Sequence, residues 1–179
     1  MVFNVDELLT ELKKYTNNHI EFAHFLESKP EIELQKKVND TSWSILECLE
    51  HLNLYAEFYN REIKQRIQSS NLPSVDSFKS GFLGNKFALD MLPSEKMKTM
   101  KTFKSKNPIH SKLKKINVLS NFIKNQKELL VLLELVKDKN LTKIKTSITL
   151  PLLKFRLGDT LRFVIYHNER HVIQAKKLL

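Results

Sequence analysis

Apolar residues recur every three or four positions in four stretches of this chain, the spacing that gathers them on one face of a helix. In residues 4–27 that face is Val5, Leu8, Leu12, Tyr15, His19, Phe22 and Leu26; Asn4 or Asp6 can cap its start, and Pro30 marks its end. In residues 44–69 it is Ile45, Cys48 with Leu49, Leu52, Tyr55 with Ala56, Tyr59, Ile63 and Ile67. Ser44, followed three positions later by Glu47, is a capping-box pattern, and Trp43 just before it can serve as the apolar half of a staple. A third stripe, over residues 113–138, is Val118, Leu119, Phe122, Ile123, Gln126, Leu129, Leu130, Leu133 and Val136. The fourth, over residues 158–178, is Leu161, Val164, His167 with Asn168, His171, Gln174 with Ala175, and Leu178. Gly158 and Asp159 open it, the acid suiting the cap or the first turn.

Two stretches break the pattern. Residues 70–112 are punctuated by Pro73, Gly81, Gly84, Pro93 and Pro108. They still carry Phe82, Leu83, Phe87, Met91, Leu92, Met97, Met100 and Phe103, so we expect an ordered segment lying on the surface, with a short helix in it. Residues 140–157 hold Ile144, Ile148, Leu150, Leu152 and Leu153 around Pro151, which predicts an extended crossover with a short strand. Four amphipathic helices with long connections between helices two and three, and three and four, predict an all-α four-helix bundle, residues 1–179 forming a single domain.

Composition agrees. Three glycines and five prolines in 179 residues are too few for the tight turns of an all-β fold. The single cysteine, Cys48, allows no internal disulfide and fits a reducing compartment. The N-terminus enters a helical pattern without the basic start and apolar run of a signal peptide, and Leu129 to Leu133 is far too short to span a bilayer. We therefore expect a cytoplasmic, soluble chain with no membrane attachment. The formal charge is +10, but residues 96–115 hold eight lysines and no acid, leaving +2 for the rest. Those at 112, 114 and 115 stand near the start of the third helix, where its dipole disfavours them, and the sequence supplies no reason for that.

The chemistry lies in the histidines. His167 and His171 are one turn apart on the last helix, about 40° around its axis, so their imidazoles can reach one ion. The pair lies on the apolar face with Leu161, Val164 and Leu178. His51, on a flank of the second helix's apolar face, is the best candidate for a third ligand. Three imidazoles with an open fourth position would make a catalytic type of site, and imidazole suits zinc, nickel, copper and iron alike. His19 also lies on an apolar stripe, with no ligand role required of it.

The residues Trp43-Ser44-Ile45-Leu46-Glu47-Cys48-Leu49-Glu50-His51-Leu52 resemble the W-S-x-x-E-x-x-x-H-L signature of the DinB-like superfamily. His167-Asn168-Glu169-Arg170-His171-Val172-Ile173-Gln174 resembles its closing H-x-x-R-H-x-x-Q element. Met100 to Pro108 resembles a connecting segment in those proteins, and Leu157-Gly158-Asp159 the lead-in to their last helix. The resemblance implies a four-helix bundle and a metal site on His51, His167 and His171, with zinc or nickel as the expected ion. It also implies metal-dependent chemistry on small molecules. Some relatives resemble thiol S-transferases using low-molecular-weight thiols, and others hydrolases, so the expected role of the ion is to activate a water or a thiol. The family often pairs through helices, which makes a homodimer an expectation too.

Around that triad, Gln174 could hold His171 or a bound water, and Tyr55 could line a pocket. Cys48 could be a fourth ligand or a reactive thiol, though a buried inert cysteine is the commoner case. No carboxylate can be assigned as a general base, since Glu47 reads as a cap and Glu50 as surface. Two other classes compete with an enzyme: a non-catalytic metal-binding or dimeric helical module using the apolar residues of the first helix, and a nucleic-acid-binding protein using the lysines. The second is disfavoured, because little aromatic interleaving beyond Phe103 and no nucleic-acid motif accompanies the charge.

Overall fold

The computed structural model describes residues 1–94, 101–109 and 111–179. The four expected helices are there, with ends set by their caps. Helix α1 (Val5–Glu27) begins at Asn4, whose side chain accepts the Glu7 N–H at 3.1 Å. Pro30 then caps a one-turn helix α2 (Glu31–Leu34). Helix α3 (Ile45–Gln68) carries the full capping box: the Ser44 hydroxyl accepts the Glu47 N–H, and Glu47 accepts the Ser44 N–H at 2.8 Å. The Glu47 carboxylate also takes Lys37 at 2.6 Å. Helix α4 (Phe82–Met91) is the short helix of the first long connection. Helix α5 (Lys115–Leu135) runs into a 3-10 turn at Val136–Asp138, and α6 (Leu157–Lys176) closes the chain.

Two small antiparallel pairs were not foreseen in full. Strand β1 (Val2–Asn4), at the entry to the first helix where no strand was expected, pairs with β2 (Ser77–Lys79), and Phe3 stacks on Phe78 with ring centroids 5.7 Å apart. The expected crossover is a hairpin of β3 (Lys145–Ser147) and β4 (Lys154–Arg156).

Helix α3 packs on α5 and α6, and α1 packs on the same two; α4 covers α6 from outside. The core divides into two clusters. One gathers Leu8, Leu12, Tyr59, Ile63, Leu133 and Leu161, and the other Phe22, Leu26, Leu46, Leu49, Phe122 and Val172. The apolar stripe of α1 is thus packed within the chain. Among the described residues, no helix is long and apolar enough to cross a membrane.

The first half of α6 departs from a one-faced helix. Every residue from Leu157 to Asn168 is buried, because α4 lies on the side that amphipathic spacing would leave to solvent. Asp159, expected to serve its own helix, instead accepts the Gly81 N–H at 2.8 Å and the Ser80 hydroxyl, fixing the residues that open α4. Arg162, 1% exposed, faces Asp159 at 3.5 Å, donates to Asn85 at 2.9 Å and lies over the Phe3 ring. A buried pair of charges survives only when its remaining hydrogen-bonding groups are met, and here Ser80 and Gly81, between β2 and α4, and Asn85 of α4 meet most of them.

The lysine at the start of α5 has a reason in the tertiary structure. Lys115 Nζ donates to the carbonyls of Glu27 and Lys29, both at 2.8 Å, so its charge sits at the C-terminal end of α1, where a helix dipole favours it. Its backbone N–H is met by the Glu31 carboxylate at 2.9 Å, which supplies the negative charge the α5 N-terminus wants.

Candidate metal centre

Two helices bring three imidazoles together. The capping box fixes where α3 starts and so the face on which His51 emerges; His167 and His171 emerge one turn apart from α6, which packs against α3. One ring nitrogen from each of the three lies within 4.8 Å of the others, and His51 Nε2 stands 3.2 Å from His167 Nε2. Two nitrogens on one tetrahedral ion, each about 2.0–2.1 Å from it, would be roughly 3.3 Å apart. The donor set therefore fits a divalent ion of zinc's size.

The outer nitrogens of two rings are engaged. His51 Nδ1 is 2.7 Å from the Lys106 carbonyl oxygen, and His171 Nδ1 is 2.9 Å from Gln174 Oε1. Both partners are acceptors, so each holds the ring's proton on Nδ1 and leaves Nε2 with its lone pair free to bind. Burial adds to this by opposing charge on the rings. It lowers His51 to about 4 and His171 to about 3, and pulls His167 well below its ordinary value, with the neighbouring histidines reinforcing the shift for the last two. Three neutral imidazoles at physiological pH are what a metal requires of its ligands.

Aromatic rings frame the triad. Trp43 lies 4.6 Å from the His51 ring and 5.5 Å from His171, Tyr55 lies 4.9 Å from both His51 and His167, and Phe163 stacks on His167. The histidines line a cavity of about 530 Å³. Its walls are mixed: Phe87, Met91, Ile148 and Leu150 stand beside the rings just named, and Lys101, Thr102, Asn107, Arg170 and Gln174 supply polar groups. No carboxylate stands among the described lining residues. Arg170 donates to the Asp90 carbonyl.

Tyr55 and Gln174 line the cavity, Gln174 against His171. Cys48 does not. It is fully buried in the apolar core among Leu46, Leu49 and Phe122, away from the lining, and burial pushes its thiol up to about 12. Neither a fourth ligand nor a reactive thiol is placed there. His19 is also fully buried, but pairs with Glu169 at 2.8 Å and stays apart from the three-histidine group. Of the basic segment, Lys96, Met97, Lys98 and Met100 lie outside the described residues. Lys106 and Lys115 spend their ammonium groups on backbone carbonyls within the chain, so part of the charge surplus is internal.

Sequence reasoning missed the ring of Trp43 against two histidines and the Lys106 carbonyl on His51. Trp43 belongs to the motif that carries His51, and that proximity was a usable signal. The carbonyl left none, because every residue has one.

The model of the DinB superfamily matches residues 15–175. No curated protein and no solved structure matches the chain significantly. With the helical fold, the match along nearly the whole chain and the three clustered histidines in hand, the chain belongs to the DinB superfamily.

Proposed function

We propose that this protein is a cytoplasmic metal-dependent enzyme acting on a small molecule, as a thiol S-transferase or a hydrolase. Its four long helices form a single four-helix-bundle domain of the DinB type, and zinc or nickel is held by His51, His167 and His171. The observation that carries the reading is the convergence of three imidazoles from two helices, two of them buried and the third half-buried, in the lining of a cavity.

His51, His167 and His171 would hold a divalent ion, and the chemistry it would supply when bound is the acidification of a water or thiol to a nucleophile near neutral pH. The chain's own residues do the rest. Lys106 and Gln174 keep His51 and His171 in the tautomer that presents Nε2. Trp43, Phe87 and Phe163 line the cavity and offer apolar surface to a substrate. Tyr55, whose phenol burial raises to about 12, remains protonated and serves as a hydrogen-bond donor, not a base. Glu47 is committed to its cap and to Lys37, and Glu50 bonds Asn53, so neither is available as a general base.

Metal analysis of the purified chain beside His51→Ala and His171→Ala tests the site. One equivalent in the parent, lost in both variants, is the expected result; a parent without metal after loading, or variants that keep it, would remove the proposal. Thiol-conjugation and ester or amide hydrolysis screens, with and without chelator, then separate transferase from hydrolase.

A further inference from the structure

Lys101, Thr102, Phe103, Asn107 and Ile109 line the cavity, and the segment that carries them does more than enclose space. Its 3-10 turn, Lys104–Lys106, brings the Lys106 carbonyl to His51 Nδ1 at 2.7 Å. The next residue, Asn107, accepts two N–H groups on one oxygen: the Trp43 indole Nε1–H at 3.1 Å and the Ile109 backbone N–H at 3.2 Å. Trp43 in turn rests its ring on His51 and His171. A closed circuit results, running from His51 to the Lys106 carbonyl, through Asn107 to Trp43 and back to the His51 ring.

A backbone carbonyl fixes a histidine tautomer only as well as the backbone itself is fixed. Exposed loops move readily, and Lys106 lies in one. Two side chains tie this loop at its turn: Lys106, whose ammonium donates to the Leu54 carbonyl of α3, and Asn107, bonded on one side to its own segment and on the other to the residue preceding the α3 cap. We propose that Asn107 is a positioning residue for His51, acting through Trp43 and the Lys106 carbonyl to hold the His51 proton on Nδ1 and its Nε2 toward the ion. The inference rests on the metal reading above for its consequence, but not for its geometry.

The test compares Asn107→Ala, Asn107→Asp, Trp43→Phe and the Asn107→Ala/Trp43→Phe double variant with the parent. Zinc affinity is read by competition with a chromophoric chelator, and the His51 tautomer by nitrogen-15 NMR of the imidazoles in chelated protein. Asn107→Asp keeps an acceptor for both N–H groups and retains affinity and tautomer. Asn107→Ala and Trp43→Phe, which keeps the ring but loses the donor, each weaken zinc binding about three- to tenfold. Each also shifts His51 away from a pure Nδ1–H form, and the double variant is no weaker than the worse single one, because both cut the same link. Unchanged affinity and tautomer in Asn107→Ala would overturn the inference. So would a loss of affinity with the tautomer intact, which would mark a general loosening of the loop. If the parent takes up no zinc, the metal reading falls, and the tautomer comparison alone still decides the role of Asn107.

Discussion

Two residues of the same helix, one turn apart, have opposite chemistries here, and surroundings decide which. His51 and Cys48 are both buried in α3. His51 meets an acceptor for one nitrogen and two further imidazoles for the other, while Cys48 lies within an apolar core cluster. Burial opposes charge on each, lowering the histidine to about 4 and raising the thiol to about 12. For the thiol the sign is plain. The folded state disfavours the thiolate, so stability is unaffected at neutral pH and declines only as pH rises past about 9, where the unfolded chain would ionise. Native protein at pH 8 is therefore expected to leave Cys48 unmodified by a disulfide reagent for hours, and to react with one equivalent at once in denaturant. Rapid reaction in the native state would show that the core around Cys48 is open.

Among the helices, the most constrained contact is that of α4 on α6. A Cβ on Gly84 would fall 2.6 Å from both Cβ and Oδ2 of Asp159, a side chain that is fully buried and bonded to Ser80 and Gly81. Helix propensity favours Gly→Ala by about 1 kcal/mol in a helix interior. Here the opposite sign is expected, because neither α4 nor Asp159 can give way without breaking the network that joins Ser80, Gly81 and α4 to α6. Gly84→Ala should lower stability by roughly 1–3 kcal/mol in urea melts, and a variant as stable as the parent would show that α4 is free to shift. The same reasoning explains why spacing was a good guide to α1, α3 and α5 and a poor one to the first half of α6. Periodicity reports one buried face, and a helix covered on a second side has none to report.

At the scale of the molecule, the three neutral imidazoles make stability depend on pH even without a metal. In the unfolded chain they titrate near 6.5; in the folded chain His51 does so near 4, His171 near 3 and His167 lower still than its ordinary value. Between these limits the unfolded chain takes up protons that the folded one refuses. Stability is full above about pH 6.5 and falls as pH drops through the window toward 4. For chelated protein the melting midpoint should hold from pH 8 to 7 and fall between pH 6.5 and 5, above the ordinary carboxylate range. A midpoint unchanged from pH 7 to 5 would mean that the rings are solvated.

What the order of residues determined alone was local. Helix positions follow from apolar spacing, their starts from Asn4 and the Ser44–Glu47 box, and the relation of His167 to His171 from the geometry of one turn, because each depends on residues within a few positions of one another. The tertiary structure decided the rest. The approach of His51 to a pair more than a hundred positions away, the Lys106 carbonyl behind it, the service of Asp159 to another helix and the charge of Lys115 at the end of α1 all join distant parts of the chain. No spacing encodes such contacts, since they come from which faces the packed helices turn toward each other and from what fills the space between them.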